Sequence, residues 1–245
     1  VIMVARGDLG VELGDAELPG VQKQLIAEAR AGNKVVITAT QMMQSMISSS
    51  QPTRAEVLDV ANAVLDGTDA VMLSAETAVG RHPARVVAAM DRICRGAERQ
   101  HSAMVSTHRL DHHFESVDEA IAMAAMYTAN HHDIEAILAL TESGKTPMWM
   151  SRISSGIPIF AATRSEETER RLALYRGVYP VPFDATMVSR SDLNWAAVQE
   201  IRDRGLVEDG HKIILTKGDL YGSEGGTNAM KIVKVGSVVR GEIEQ

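Results

Sequence analysis

Three short apolar segments, each followed by polar residues and then by an amphipathic helical pattern, most constrain how the first hundred residues can fold. The segments are residues 1–5, 35–39 and 70–73. Short apolar runs that end at glycine or polar residues are typical of strands buried on both faces of a parallel sheet. Strand–helix alternation with short connections predicts right-handed crossovers. We therefore predict three consecutive βα units in residues 1–100.

The segments between these strands have clear helix signals. Apolar residues at helical spacing predict helices over about 19–31, from 52 onward and over about 83–96. A proline opens each of the three, as is common in a first helical turn. Residues 6–14, which contain several glycines and charged residues, are instead predicted to form a polar loop after the first strand.

Polar residues follow the carboxyl end of each predicted strand: Asp8, then Thr40, then Ser74 and Glu76. Parallel strands bring these ends to one edge, which is the geometry of the active-site rim in a (β/α)₈ TIM barrel. Three strands do not close an eight-stranded barrel, and an open sheet leaves two edges unpaired. The sequence therefore predicts the last three-eighths of a barrel, with the remaining part expected before Val1.

Each of these side chains has a functional and a structural interpretation. Asp8 and Glu12 carry the oxygen ligands that Mg²⁺ prefers, but an Asp here also commonly caps a helix, and Glu12 is expected to face solvent. The Thr40 hydroxyl either contacts a substrate or bonds a nearby backbone group. Ser74 and Glu76, two apart on a segment predicted to be extended, are expected to point to the same side. No histidine is predicted on the same rim as Ser74, which is therefore not a predicted nucleophile.

Residues 101–116 are polar, contain several histidines and lack clear periodicity, so we predict a linker there and a second domain over 117–245. Its pattern predicts a second α/β domain with a mixed five-stranded sheet, because the last two strands are close enough in sequence to form a hairpin. The predicted helices are 117–130, 145–154, 166–175 and 192–204, and the predicted strands are 136–140, 157–162, 179–183, 212–216 and 230–235.

One segment of the second domain has the pattern of a phosphate site. Residues 143–146, Ser-Gly-Lys-Thr, follow a strand and open a helix, so that their N–H groups either cradle a phosphate or simply begin the helix. The segment is not a Walker A loop, because residue 139 is Ala where that motif requires Gly. The glycine-rich loop 218–227, with Gly222, Gly225 and Gly226, either closes over the same ligand or is a mobile hairpin.

Composition excludes several classes of protein. A net charge of −7 and 4% aromatic residues argue against nucleic acid or an anionic membrane as the main partner. Cys94 is the only cysteine, so no internal disulfide forms and a cytoplasmic location is expected. No apolar run approaches the roughly 20 residues of a membrane span. The histidines have no accompanying ligand pattern, so no metal role is predicted for His108, His112, His113, His131 and His132.

Several long strings, in the same order, resemble the pyruvate kinase family. They are residues 2–12 (IMVARGDLGVE), 39–42 (ATQM), 52–56 (PTRAE), 59–69 (DVANAVLDGTD) and 72–78 (MLSAETA), and the resemblance continues to Thr227 and Asn228. The Ser-Ala-Glu string at 74–76 and the Thr-Glu-Ser-Gly string at 141–144 are most similar to the second bacterial type. That type is associated with activation by AMP or sugar monophosphates.

This resemblance implies phosphoryl transfer from phosphoenolpyruvate to ADP, giving pyruvate and ATP in glycolysis. It implies that the backbone of Gly7 and Asp8 holds the substrate carboxylate and that the Asp8 carboxylate ligates Mg²⁺ or Mn²⁺. Thr40 is expected to contact the substrate near the enol carbon. Ser74 and Glu76 are expected to belong to the polar network that relays the proton. Such a reaction depends on positioning and charge neutralisation more than on covalent help.

For the second domain the resemblance implies an effector phosphate pocket, and for the whole family member a homotetramer. Glu224 departs from the basic or neutral residues expected around a bisphosphate, which favours a singly phosphorylated activator or none. The residues implied for the pocket are Thr141, Ser143, Gly144, Lys145, Thr146, Gly226 and Thr227.

The family's catalytic lysine, second metal carboxylate, K⁺ ligands and lid domain are all expected before Val1. We therefore expect a chain derived from pyruvate kinase that does not turn over by itself. Two other interpretations remain open at this point. One is a stand-alone module that binds a sugar phosphate or nucleotide through residues 117–245, and the other is an oligomerisation fragment.

Overall fold

The computed structural model describes residues 1–104, 113–219 and 225–238. The chain divides into two compact units, Val1–Ser106 and Thr107–Gln245. The elements of the first unit are β1 (Ile2–Ala5), α1 (Arg6–Leu13), α2 (Leu18–Ala31), β2 (Val36–Ala39), a 3₁₀ helix (Gln44–Ile47), α3 (Arg54–Asp66), β3 (Ala70–Met72), α4 (Ala75–Ala78), α5 (Pro83–Glu98) and α6 (His101–Met104).

The first unit contains a parallel sheet with the order β1-β2-β3, as the strand–helix alternation predicts. The strands end level with one another, because Ala5 pairs with Ala39 and Ala39 pairs with Met72. The residues that follow the three strands therefore emerge at one edge. This level carboxyl edge is what places the candidate site.

Helices cover the sheet through small and branched apolar side chains. Ile26 and Ala29 of α2 form a buried cluster with Val4 of β1 and Val36 of β2. A second cluster joins the segment after β2 to α3 and α5 through Met42, Met43, Met46, Val60, Ala63, Val86, Ala89, Met90 and Ile93. This methionine-rich cluster fixes the segment that carries Thr40, because Met42 and Met43, two and three residues after Thr40, are fully buried.

The prediction that the first strand is buried on both faces is wrong for this unit. Only Val4 of β1 is buried, whereas Ile2 is 39% and Met3 is 53% exposed. β1 lies at the edge of the sheet, and the buried cluster with Ile26 and Ala29 of α2 includes Val4 but neither Ile2 nor Met3. An apolar run predicts which side chains are suited to burial, while actual burial depends on what packs against them.

Two predictions of local structure are also wrong. Residues 6–14 form α1 (Arg6–Leu13) and its C-cap, Gly14, rather than a polar loop. Ser74 and Glu76 do not share an extended segment, because α4 (Ala75–Ala78) begins directly after Ser74 and includes Glu76. Glu12 is solvent-exposed, as expected.

The second unit is an α/β fold with a five-stranded sheet of order β6-β5-β4-β7-β8. Its first four strands are parallel, and β8 runs antiparallel to β7, which confirms the predicted mixed sheet and hairpin. The elements are α7 (Val117–His131), β4 (Ala136–Leu140), α8 (Lys145–Ser151), β5 (Ile159–Thr163), α9 (Glu166–Leu172), β6 (Val178–Pro182), a 3₁₀ turn (Ala185–Met187), α10 (Leu193–Asp203), β7 (Lys212–Gly218) and β8 (Thr227–Lys234).

Both faces of this sheet are buried. Alternate residues of β4 belong to different clusters: Ile137 packs with α7, α8 and α9, while Leu138 packs with α10. Pro180 and Pro182 lie on β6 at the edge of the sheet, the position that a strand proline favours.

The hairpin strands extend further into the predicted loop than the sequence suggests. β7 continues to Gly218 and β8 begins at Thr227, with a register irregularity between Lys217 and Gly218. Gly222 and Glu224 of that loop, like His108 and His112, lie outside the described residues. Within the ranges that are described, no helix is long and apolar enough to cross a membrane.

Candidate functional site

The start of α1 meets the segment after β2 through Gly7 and Thr40. The Gly7 N–H donates to Thr40 Oγ1 at 2.8 Å, and the Thr40 hydroxyl donates to the Ala39 carbonyl at 2.7 Å. In this structure the Thr40 hydroxyl therefore bonds nearby backbone groups, the second of the two interpretations given above. Asp8 lies beside Gly7 in the first turn of α1, with its side chain in solvent. An acidic residue in this turn interacts favourably with the helix dipole.

Thr40 and Gln41 have left-handed backbone conformations, with φ values of 68° and 55°. For a β-branched residue such as Thr this conformation is a genuine outlier, and it costs of the order of 1–3 kcal/mol. Strained residues persist where the surrounding structure over-determines them, and they cluster at functional sites. Contacts from the surrounding structure must therefore hold the Thr40 backbone in this conformation.

The strongest of those contacts come from Arg6, the first residue after β1. Its Nη2 and Nε donate to the Thr40 carbonyl at 2.7 and 3.2 Å. Its Nη1 contacts both carboxylate oxygens of Asp59 in α3, at 2.6 and 2.7 Å. Arg6 is only 6% exposed, so this charge is buried and paired. The side chain connects all three of β1, the strained segment after β2, and α3.

Glu76 is the second buried charge at this edge, with 2% exposure. Its carboxylate accepts hydrogen bonds from the N–H groups of Met43 at 3.0 Å and Ser74 at 2.9 Å, and from the Ser74 hydroxyl at 3.4 Å. Burial raises the pKa of Glu76, but these donors outweigh that effect and leave the pKa below its ordinary value. Glu76 is therefore an ionised acceptor that joins the end of β3 to the segment after β2.

Glu56 of α3 holds the same segment a few residues further on. Its carboxylate accepts from the Ser45 N–H at 2.7 Å, the Ser45 hydroxyl at 2.5 Å and the Thr53 N–H at 2.8 Å. The last contact belongs to a capping box with Thr53 at the start of α3. Burial raises the pKa of Glu56, and the Ser45 and Thr53 donors lower it further than burial raises it.

Among the side chains of this edge, Asp8 is suited to bind a hard cation. A carboxylate that reaches solvent suits Mg²⁺, which often uses one or two carboxylates with waters and substrate oxygens as its other ligands. Across residues 1–104, 113–219 and 225–238, no group of three or more His, Cys, Asp or Glu side chains is arranged to hold a metal ion.

The second unit has a cleft where the carboxyl end of β4 meets the hairpin of β7 and β8. Six of the seven residues that the family resemblance implies for an effector pocket line this cleft: Thr141, Ser143, Lys145, Thr146, Gly226 and Thr227. The seventh, Gly144, is buried at the start of α8 in the left-handed conformation, with φ 75°. A side chain at Gly144 would be strained there and would press against Leu172.

Residues from the β5–α9 connection and from α9 brace the loop before α8. The Thr168 hydroxyl donates to the Glu142 carbonyl at 2.8 Å, and Arg171 donates to the Ser143 carbonyl at 2.9 Å. Arg164 forms an ion pair with the Glu142 carboxylate at 3.2 Å. Within the loop, the Thr141 hydroxyl accepts from the Gly144 N–H at 2.9 Å. These contacts fix the loop without occupying the Lys145 ammonium group, which lies over the Trp149 ring.

Two buried hydroxyls connect this loop to the hairpin. Thr146 Oγ1 lies 2.9 Å from Thr227 Oγ1, and both residues are buried. The start of α8 and the start of β8 therefore share a hydrogen bond inside the cleft wall.

The sequence predicts which residues follow each strand but does not predict the pair of side chains that holds them. Arg6 and Asp59 are 53 positions apart, and the one local signal is an arginine placed directly after an apolar strand. In the sequence Glu56 is only part of a helix-opening string, and its contact with Ser45 of the segment after β2 is not predicted.

Comparison with known proteins gives two family matches along the chain. A family model described as pyruvate kinase, barrel domain, matches residues 1–87, and one described as pyruvate kinase, alpha/beta domain, matches residues 119–233. The first unit is thus a partial barrel domain, and the second is the α/β domain that follows it.

Individual relatives agree with these matches. Pyruvate kinase II of Salmonella typhimurium is 57% identical over 239 residues, covering 96% of this chain and 49% of that protein. Pyruvate kinase of Haemophilus influenzae is 56% identical, covering 89% of this chain and 46% of that protein. Pyruvate kinase of Geobacillus stearothermophilus is 43% identical, covering 94% of this chain and 39% of that protein. The chain spans about half the length of the curated relatives it matches, or less, and it belongs to the pyruvate kinase family.

Proposed function

We propose that this chain takes part in phosphoryl transfer from phosphoenolpyruvate to ADP, the cytosolic glycolytic step that gives pyruvate and ATP. The observation that carries the proposal is the level carboxyl edge of β1, β2 and β3 in the region that matches the barrel domain. At that edge the Gly7 N–H donates to Thr40, and Glu76 accepts from Ser74 and from Met43, three residues after Thr40. Asp8 lies beside Gly7.

In this proposal the backbone N–H groups of Gly7 and Asp8 bind the substrate carboxylate. The Gly7 N–H already donates to an oxygen, the Thr40 hydroxyl, so its direction suits an anionic acceptor. A carboxylate that takes this donor releases the Thr40 hydroxyl. Thr40 is then available to contact the substrate near the enol carbon.

Asp8 would hold Mg²⁺ or Mn²⁺ through its exposed carboxylate, with the remaining ligands from water and substrate. When bound, such an ion neutralises charge on the phosphoryl oxygens and orients them. K⁺ would complete the cofactors, and no residue of this chain is assigned to it. The chain's own contribution at Asp8 is a fixed negative charge at the start of α1, next to the carboxylate-binding N–H groups.

Ser74 and Glu76 would belong to the network that delivers a proton to the enolpyruvate carbon. Ser74 is solvent-exposed and its hydroxyl lies 3.4 Å from the ionised Glu76 carboxylate. Because Glu76 accepts from two backbone N–H groups, it supports Ser74 as a fixed acceptor rather than as an acid. Ser74 is therefore the member of the pair that faces solvent and substrate.

We further propose that the 245-residue chain alone has no turnover, since it matches half or less of each full-length relative. The test measures pyruvate formation from phosphoenolpyruvate and ADP, with Mg²⁺ and K⁺, for the chain and for the intact gene product that carries it. We expect turnover only from the intact product. Turnover by the chain at the rate of the intact product would contradict the inactivity, and no turnover by either would contradict the proposed reaction.

The cleft of the second unit favours a second, separate role: binding of a phosphorylated ligand such as AMP or a sugar monophosphate. The supporting observation is that six residues implied by the family resemblance line one cleft beside the braced loop before α8. This role holds whether the ligand activates a homotetrameric kinase or the chain acts as a binding module. Light scattering of the intact product distinguishes the tetramer from a monomeric module.

A further inference from the structure

We propose that Arg6, held in place by Asp59, is a positioning residue for the reaction: it fixes the strained Thr40 backbone, and with it the place beside the Gly7 N–H from which the Thr40 hydroxyl meets the substrate. The inference rests on the proposed function, because it assigns Thr40 and Gly7 to the substrate. It adds two residues, one from α1 and one from α3, that touch neither the substrate nor a metal in that proposal.

The first step is the strain at Thr40. Its φ of 68° is unfavourable for a β-branched residue, so relaxation would move φ to negative values and carry the side chain away. Arg6 opposes this relaxation by donating twice to the Thr40 carbonyl, at 2.7 and 3.2 Å. The carbonyl direction, and with it the peptide to Gln41, is thereby fixed.

The second step is the rigidity of Arg6 itself. Its guanidinium is buried and contacts both oxygens of Asp59, at 2.6 and 2.7 Å. A planar fork that meets a carboxylate on one side and a carbonyl on another has one allowed orientation. A lysine keeps the charge but cannot make both sets of contacts from a single ammonium group.

The third step connects this geometry to the reaction. The Thr40 hydroxyl lies between the Gly7 N–H and the Ala39 carbonyl, so its position follows the backbone of these residues. Misplacement of a reacting group by about 1 Å can reduce a rate on the order of a hundredfold. Loss of the Arg6 contacts should therefore affect the rate of the chemical step more than the affinity for ADP.

The test compares Arg6→Lys and Asp59→Asn in the intact gene product. We expect kcat to fall at least about tenfold, with the KM for ADP changed less than about threefold. Asp59→Glu retains the carboxylate and should recover part of the loss. The matched control is Arg30→Lys: Arg30 also donates to the carbonyl of a left-handed residue, Gly67, at the opposite end of the sheet. It should lower the melting temperature without lowering kcat.

A second readout needs no turnover. The Gly7 N–H lies in the first turn of α1, where no intrahelical acceptor is available, so its protection from hydrogen exchange depends on Thr40. We expect that protection in the unsubstituted protein and in Arg30→Lys, and its loss in Arg6→Lys. Unchanged Gly7 protection, or unchanged kcat, in Arg6→Lys overturns the inference. No turnover by the unsubstituted product rejects the proposed function instead, and the exchange measurement still decides whether Arg6 positions Thr40.

Discussion

At the scale of single residues, the candidate site depends on two buried charges whose roles differ. Arg6 donates to the Thr40 carbonyl and to Asp59, and Glu76 accepts from backbone N–H groups on two segments. In both cases a side chain substitutes for backbone hydrogen bonds that irregular segments cannot make with each other. Two exposed residues are proposed to meet the substrate. Asp8 follows Arg6 by two positions, and the Ser74 hydroxyl lies 3.4 Å from the Glu76 carboxylate.

Substitution of Glu76 by glutamine tests the anchoring role. The amide nitrogen presents a donor where the Met43 or Ser74 N–H requires an acceptor, inside a site that is 2% exposed. We expect a loss of roughly 1–3 kcal/mol in unfolding free energy, measured by urea denaturation. The control is Glu17→Gln, because Glu17 is exposed and makes no side-chain cap of α2. Equal stability of the two variants would contradict an anchoring role for Glu76.

The sequence predicted the positions of Asp8, Thr40 and Ser74 at the strand ends because strand periodicity is a local property. It did not predict the Arg6–Asp59 pair or the contact between Glu76 and Met43, which join residues 53 and 33 positions apart. Such contacts follow from how α3 and α4 pack on the sheet, which no short window contains. The left-handed conformation of Thr40 was equally invisible, because threonine seldom adopts it.

At the scale of elements, the segment between β2 and α3 is held by carboxylates from both sides. Glu76 accepts from Met43 and Glu56 accepts from Ser45, while Met42, Met43 and Met46 are buried beneath. The segment has little regular structure besides a 3₁₀ helix (Gln44–Ile47). Its order therefore depends in part on these two ionised carboxylates, which makes the segment sensitive to acid.

The pKa shifts give the sign of that sensitivity. Glu56 and Glu76 both have a folded-state pKa below the ordinary value of 4.5, so near that pH the unfolded chain binds more protons. Their contribution is therefore fully present above about pH 4.5 and is lost as pH falls through the folded-state values. We expect the unfolding free energy to decrease across this window and Glu56→Gln to show a shallower decrease. An identical pH slope in that variant would show that Glu56 contributes nothing.

The helix α1 shows why one element was assigned wrongly. Residues 6–14 contain Gly7, Gly10 and Gly14, and each glycine inside a helix costs about 1 kcal/mol relative to alanine. Local propensity therefore favours a loop, and this is why the sequence predicts one. In the structure Leu9 packs against the cluster of Val4 and Ile26, and the Arg6 contacts fix the start of the helix. Tertiary contacts outweigh local propensity here.

The hydroxyl pair of Thr146 and Thr227 provides a test of how α8 and β8 are joined. Replacing either residue by valine leaves a buried hydroxyl without its partner, at a cost of roughly 1–3 kcal/mol. Replacing both removes the unpaired group, so the double variant should lose less than the sum of the single variants. Urea denaturation of the four proteins measures this coupling. Additive losses would mean that the two hydroxyls do not stabilise each other.

At the scale of the whole molecule, the architecture was predicted better than the burial. Three parallel strands, then a mixed five-stranded sheet, follow from the order of apolar runs and helices. The exposure of Ile2 and Met3 does not follow from the sequence, because the same apolar residues suit a covered or an uncovered strand. The chain's match to half or less of its relatives is consistent with a sheet whose β1 edge remains open among the described residues.

The second unit permits a ligand test that does not depend on catalysis. If the cleft binds AMP or a sugar monophosphate, ligand at a hundred times its Kd should stabilise the unit by about 2.7 kcal/mol. For a protein of this size that corresponds to a rise of roughly 5–10 °C in its melting temperature.

Lys145→Met should weaken the response, because Lys145 lines the cleft. Lys231→Met removes the same charge from an exposed position on β8 and should leave it unchanged. A fructose bisphosphate titration run in parallel separates the singly phosphorylated class from the doubly phosphorylated one. Equal responses of the two lysine variants would mean that any bound phosphate lies outside the cleft.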